Sequence, residues 1–252
     1  MILLVDAGNT CLKWGFLEGG VVQTGGRAVH AGEDLKTVIA TAWAEVAAPE
    51  RVIVANVAGQ RLAKTLRAWI KRTWKVAAEF AVATEAAGGV RNAYREPGRL
   101  GIDRWAALIG ARRHNRGAAC VVDCGTAITI DVLGQGGDHL GGLIVPGLHL
   151  MPRCLAQTAT GVAEPQEPSE DVSLLARDTH GAVVGGALYA AVAMIDRVAA
   201  DVGAELGRRP ALVLTGGDAP SLRPLLAGPV HHAPDLVLEG LAVLAGETSC
   251  VT

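Results

Sequence analysis

Short apolar runs, many of them β-branched, recur between polar turns from the first residues of the chain, and their spacing predicts strands alternating with helices. Ile2-Leu3-Leu4-Val5 leads into Asp6-Ala7-Gly8-Asn9-Thr10, and Cys11 to Leu17 is strand-like again, so the pair reads as a hairpin. Gly19-Gly20 separates it from a third short strand, Val21 to Thr24. The period then becomes helical over Glu33 to Ala47, where Leu35, Val38, Ile39, Ala42 and Val46 share a face. Arg51 to Val57 reads as a strand, Leu62 to Trp74 as a helix and Val76 to Val82 as a strand. Thr84 to Gly101 is polar and glycine-rich, a loop long enough to suggest a functional one. Arg104 to His114 is helical and runs into the linker Asn115-Arg116-Gly117.

The second half repeats the order. Cys120-Val121-Val122 leads into Asp123-Cys124-Gly125-Thr126-Ala127, so Ala118 to Leu133 forms a hairpin, followed by a strand from Leu140 to Val145. Pro146-Gly147 ends that strand, and a helix begins near Leu148. A proline- and acid-rich loop is expected from Gly161 to Ser173, then a long small-residue helix from Thr179 to Val202, interrupted at Gly185-Gly186. Leu212 to Leu214 delivers Thr215-Gly216-Gly217-Asp218, and Leu236 to Ala245 closes the chain as a helix. The two acidic glycine turns lie 123 − 6 = 117 residues apart. The pattern predicts an α/β protein of two similar domains, residues 1–117 and 118–252, with a nucleotide cleft between them.

Composition narrows the picture. Half of the residues are hydrophobic and only 4% aromatic, which predicts a core of Ala, Val, Leu and Ile. A net charge of −2 gives no electrostatic reason to expect nucleic acid or an anionic membrane. Met1 to Val5 is too short for a signal peptide, and no uninterrupted apolar run reaches roughly 18–20 residues. The five cysteines lack CxxC spacing. Cys120 and Cys124 share one face of a buried strand, where cysteine behaves as a small hydrophobe. A soluble, reduced, cytoplasmic protein is expected.

An aspartate ending a buried strand is costly unless paired or facing a cation. Glycine beside it lets backbone N–H groups close on an anion, and threonine adds a hydroxyl donor. Asp6, Asp123 and the Thr215-Gly216-Gly217-Asp218 turn are therefore candidate phosphate or nucleotide sites, although none matches a lysine-containing P-loop or GxGxxG. Lys13, on the returning strand, either neutralises a phosphate or is a surface lysine. Leu100-Gly101-Ile102-Asp103-Arg104-Trp105 places a carboxylate beside a guanidinium at a helix start. Asp103 is a helix cap or a general base, and Arg104 an anion contact or a helix ion pair. Tyr94 is a substrate contact or a packed anchor. The seven histidines show no ligand spacing, and His231-His232 are expected to be solvated.

The ordered set Asp6-x-Gly8-Asn9-Thr10-x-x-Lys13, Gly101-x-Asp103-Arg104, Asp123-x-Gly125-Thr126-x-x-Thr129-x-Asp131 and Gly141-Gly142-x-Ile144-x-Pro146-Gly147 resembles type III pantothenate kinase. The likeness runs nearly end to end and includes the Thr215-Gly216-Gly217 turn. That family belongs to the actin and sugar-kinase superfamily, whose two ribonuclease-H-like domains clasp ATP. The resemblance implies phosphorylation of pantothenate by ATP, the first step of coenzyme A synthesis. It places the ATP phosphates and magnesium on Asp6, Ala7, Gly8, Asn9, Thr10, Cys11, Leu12 and Lys13, with magnesium at Asp6. It makes Asp103 the proton acceptor and assigns pantothenate contacts to Tyr94, Gly101, Ile102, Asp103, Arg104 and Thr179. Asp123 is implied to bind a monovalent cation, potassium or ammonium, and Thr126 to touch ATP. Cys11 stands at a variable position of the first motif. Members are homodimers whose partner subunit helps form the substrate pocket. A kinase of another small alcohol and a non-catalytic nucleotide-binding regulator are the rival readings.

Overall fold

The structure, a computed structural model, describes residues 1–162, 175–246 and 250–251. Beyond Val162, the loop expected to reach Ser173 lies outside the described residues. The chain forms two compact units: one contains Met1–Arg116, Gly136–Leu140 and the described residues from Asp235 onward, and the other contains Gly117–Gln135 with the described part of Gly141–Pro234.

The first unit opens with β1 (Ile2–Ala7), β2 (Cys11–Glu18) and β3 (Val21–Val29), an antiparallel meander longer at its third strand than the sequence suggests. Next come α1 (Leu35–Ala42), β4 (Arg51–Asn56), α2 (Gly59–Trp74) and β5 (Ala78–Ala81), with β4 and β5 joining the sheet in parallel. Asp34 starts α1 by accepting from the Thr37 amide at 3.1 Å. The helix stops well before the expected Ala47 because Trp43 leaves the helical conformation, its buried ring packed against Trp14, Trp69 and Trp74. Four of the five tryptophans thus share one cluster, set in a core otherwise built mainly of Ala, Val, Leu and Ile, as composition predicts. A few large rings bury as much apolar area as many aliphatic side chains, so these four residues weigh more in the packing than their number suggests.

The long loop after β5 carries structure of its own: a two-stranded ribbon, β6 (Ala86–Ala87) with β7 (Val90–Arg91), and a 3₁₀ turn at Pro97–Arg99. Then α3 (Ile102–His114) completes this part of the unit.

The second unit contains β8 (Ala119–Cys124), β9 (Ala127–Leu133), β10 (His139–Pro146), α4 (Leu150–Thr158), α5 (Thr179–Glu205), β11 (Ala211–Thr215), α6 (Ala219–Leu222) and β12 (Val230–His232). Its strand order, β10-β9-β8-β11-β12, repeats the β3-β2-β1-β4-β5 order of the first unit, so the duplicated turns occupy matching places in two sheets. Helix α5 runs unbroken through Gly185-Gly186, where an interruption was expected. Gly185 is buried, and so are Ala187, Ala191, Ile195 and Ala199, a small-residue stripe that offsets the helix cost of glycine through packing. This helix is long and apolar enough to reach across a bilayer, but Ala191 and Ile195 lie in the core beside Cys120, Val122 and Leu214. Of the two adjacent histidines on β12, His231 is exposed and His232 half-buried, as strand alternation requires.

The chain then returns to the first unit through α7 (Leu236–Gly246) and β13 (Cys250–Val251), which pairs with β5. A boundary at 117/118 assigns this tail and the tip Gly136–Leu140 to the second half, but both pack in the first unit. Thr24 donates to Asp235 at 2.5 Å, and Arg51 to the Ala245 carbonyl at 3.1 Å. The tip is held by Arg91, which donates its amide to the Gly137 carbonyl at 2.9 Å and pairs with Asp138. One face of the first sheet carries Leu3, Val5 and Ala7 against α1 and α2, while α3 and α7 cover the other.

Candidate active site

Each unit presents an acidic turn, and the two differ by one residue. In the first, Asp6 stands directly across from Lys13, and Ala7 from Leu12. Opposed residues of an antiparallel pair share a face, so carboxylate and ammonium emerge together on the side away from α1 and α2. Ala7 and Leu12 are fully buried, whereas Asn9 at the tip is exposed. Cys11 begins β2 half-buried, its thiol directed to the Leu12 carbonyl at 3.3 Å. Gly8 donates its amide to the Cys11 carbonyl at 3.1 Å, closing the turn. His30, just past β3, reaches the Gly8 carbonyl with Nε2 at 2.8 Å.

In the second unit Asp123 stands across from Thr129, so the interval is 129 − 123 = 6 residues where the first turn has 13 − 6 = 7. The shorter turn replaces an ammonium by a hydroxyl opposite the carboxylate. Two more glycine segments close on it. The Gly147 amide donates to the Thr126 carbonyl at 2.9 Å, and β11 sets Thr215 beside Asp123 in parallel register. Gly216 has φ +93° and faces the Asp123 carboxylate: a Cβ there would lie 2.5 Å from Oδ1. Asp218 donates its amide to the Cys124 carbonyl at 2.9 Å, and its carboxylate faces His149 at 3.4 Å. Negative potential accumulates here. Burial first, then the Asp123 and Asp218 charges, push the Cys124 thiol up to about 12, while burial pushes Cys120 up to about 11. Both are buried apolar residues of β8, as the sequence suggests. Thr179 is exposed at the first position of α5, next to the capping residue Asp178.

The loop before α3 assembles a polar cluster. Asn92 pins it, donating to the carbonyls of Thr84 at 3.1 Å and Pro97 at 3.2 Å and accepting from the Tyr94 amide at 3.0 Å. Tyr94 is thereby set so that its hydroxyl accepts from Arg104 Nη1 at 3.0 Å, and its ring stacks on buried His139 from the tip at residues 136–140. Arg104 is itself buried, an arrangement a guanidinium tolerates only with hydrogen-bond partners. Ile102 is buried and Gly101 half-exposed.

Asp103 is not the N-cap. Gly101 takes that place, with no side-chain cap, and Asp103 lies in the first turn, where Oδ1 accepts from the Arg104 amide at 2.8 Å. A Cβ on Gly101 would lie 2.6 Å from that same oxygen, so the glycine is what allows the carboxylate to fold back over the helix start. Sequence reasoning named Asp6, Lys13, Tyr94, Asp103, Arg104, Asp123 and Thr126, and the turn that holds Asp218. It did not single out His30, Asn92, His139 or His149, none of which carries a local signal.

The model of the type III pantothenate kinase family matches residues 2–201. A type III pantothenate kinase of Nitrosococcus oceani is 48% identical over 256 aligned residues, spanning 100% of this chain and 96% of that protein. Among solved structures, a Baf-family protein of Campylobacter jejuni superposes with a TM-score of 0.59 at 20% identity, covering 98% of both chains. A glucokinase from an Antarctic psychrotroph gives 0.50 at 12% identity, again covering 98% of both. The last two show the fold: two sheet-based α/β units as in sugar kinases, as expected from the sequence.

Proposed function

The chain belongs to the type III pantothenate kinase family, so its reaction is the ATP-dependent phosphorylation of pantothenate in coenzyme A synthesis, and we propose that Asp103 is the base of that reaction. The observation that carries this assignment is the carboxylate in the first turn of α3, next to a buried arginine fixed by Tyr94. Phosphoryl transfer needs positioning and charge neutralisation more than covalent chemistry. Asp103 accepts the proton of the attacking hydroxyl, and Arg104, which stays protonated, cannot share that role. Tyr94, Gly101, Ile102, Arg104 and Thr179 contact pantothenate in this reading. Removing the Tyr94 hydroxyl takes one hydrogen bond from the buried Arg104 guanidinium and loosens its position. The Tyr94→Phe enzyme should therefore show KM for pantothenate raised roughly tenfold with KM for ATP unchanged. Equal changes in both constants would remove Tyr94 from the pantothenate site.

The turn from Asp6 to Lys13 holds the ATP phosphates, and Thr126 touches the nucleotide. A magnesium ion fits Asp6, a single hard carboxylate oxygen donor at a strand end. Among the described residues no three His, Cys, Asp or Glu side chains form a metal cluster, which suits an ion held chiefly through phosphate oxygens and water. When bound, it neutralises triphosphate charge. A monovalent cation, potassium or ammonium, fits Asp123. That carboxylate faces a hydroxyl instead of an ammonium across the hairpin, with Asp218 adding negative charge nearby. The protein acts as a cytoplasmic homodimer, without nucleic acid or membrane partners.

A coupled assay with pantothenate, ATP, magnesium and potassium tests the reading. Rapid turnover of another alcohol with none of pantothenate would overturn it. Replacing sodium by potassium or ammonium should raise the rate sharply, and Asp123→Ala should abolish that response. An Asp123→Ala enzyme that responds to potassium like the parent would place the cation elsewhere.

A further inference from the structure

We propose that His30 is a positioning residue for ATP: it holds the Gly8–Asn9 peptide so that the Asn9 N–H is presented to a phosphate oxygen. This rests on the reading that the Asp6–Lys13 turn carries the triphosphate.

A carbonyl oxygen only accepts, so the 2.8 Å contact between His30 Nε2 and the Gly8 carbonyl requires the hydrogen to be on Nε2. In a trans peptide the C=O and the following N–H point in opposite directions. Fixing the Gly8 carbonyl on His30 therefore aims the Asn9 N–H away from the histidine. The same segment makes a second clamp, the His30 and Ala31 amides both donating to the Thr10 carbonyl, at 2.9 and 3.3 Å. Three hydrogen bonds from residues past β3 thus hold two of the carbonyls of a turn whose own closing bond is Gly8 to Cys11.

Gly8 points the same way. It does not adopt positive φ, and a Cβ there would meet nothing nearer than the Cys11 carbonyl at 3.4 Å, an ordinary contact. The fold has room for a side chain at residue 8. Its omission serves something that approaches the turn from outside, as backbone N–H groups require when they close on an anion. Asn9, the exposed residue whose amide His30 aims, stands at that approach.

The test compares His30→Leu, which removes the donor, with His30→Gln, whose amide nitrogen reaches about as far as Nε2. In the full-length enzyme His30→Leu should raise KM for ATP roughly three- to tenfold, the worth of one hydrogen bond, and leave KM for pantothenate alone. His30→Gln should restore the parent value. Calorimetry with a non-hydrolysable ATP analogue should show the same loss and rescue in affinity. Equal KM values for ATP in the parent and His30→Leu, or a fall in Tm and kcat with both KM values intact, would overturn the proposal. If the leucine variant does not fold, His30→Asn, whose amide falls short of Gly8, takes its place against His30→Gln with the same expected split. Lys13→Ala separates the two layers. An unchanged KM for ATP in that variant would sink the triphosphate reading of the turn. A raised one beside an unaffected His30→Leu would sink only the role of His30.

Discussion

Asp103→Asn should bind ATP as the parent does and turn over about 10²–10⁴-fold more slowly. The substitution separates the two roles open to this residue because asparagine retains one of them. Asp103 Oδ1 accepts from the Arg104 amide at 2.8 Å, and an asparagine carbonyl oxygen can take over that bond in the same volume. The helix start therefore survives, short of the charge–dipole contribution of a first-turn acid, about 0.3–1 kcal/mol. What asparagine cannot do is accept a proton from the attacking hydroxyl. A large fall in kcat with nearly unchanged Tm and ATP affinity is the signature of a base. Near-normal turnover would leave Asp103 with the helix start alone. The local geometry makes the comparison clean: Gly101, not Asp103, is the N-cap, so no capping bond is lost with the charge.

What could be read from the sequence follows the range of the interactions involved. The strand–turn–strand repeat was legible because each copy is local, a β-branched run ending in Asp-x-Gly, and the matching strand orders of the two sheets follow from it. Which residue stands opposite each aspartate was not. Pairing Asp6 with Lys13 but Asp123 with Thr129 depends on hairpin register, and a one-residue difference in turn length sets it. Asp103 and Arg104 were visible as a dense polar pair, but whether the aspartate or the glycine before it caps α3 is a matter of backbone angles. His30, Asn92 and His139 act across 22, 8 and 45 residues on Gly8, Thr84 and Tyr94, and single residues at such distances leave no periodic trace. The tryptophan cluster was hidden for the same reason: Trp14, Trp43, Trp69 and Trp74 come from a strand and two helices, and composition reports only their number.

The last helix illustrates the limit best, and it supports the other large expected effect. Glycine inside a helix reads as a weak position, yet Gly110 of α3 and Gly240 of α7 are where the two helices touch backbone to backbone. A Cβ on Gly240 would run into the Ala106 carbonyl, and one on Gly110 into the Leu236 carbonyl. Because the obstacle is main chain, no rotamer change can relieve it, and α7 must move away from the helix that carries Asp103. Gly240→Val should therefore cost about 3 kcal/mol or more, the upper end for overpacking, and lower Tm by roughly 6–12 °C. Gly246→Ala is the control on the same helix: a Cβ there meets nothing within 4 Å, so its Tm should match the parent's within a degree or two. Both substitutions add side-chain bulk to α7, so helix propensity alone cannot separate them in the expected direction; valine and alanine are both better helix formers than glycine. Equal melting temperatures in Gly240→Val and Gly246→Ala would mean that α7 does not rest on α3 through these glycines. A selective loss at Gly240 would tie α3, the helix that carries Asp103, to a segment more than 120 residues later in the chain, since the packing of that helix at Ala106 and Gly110 is completed only when α7 docks.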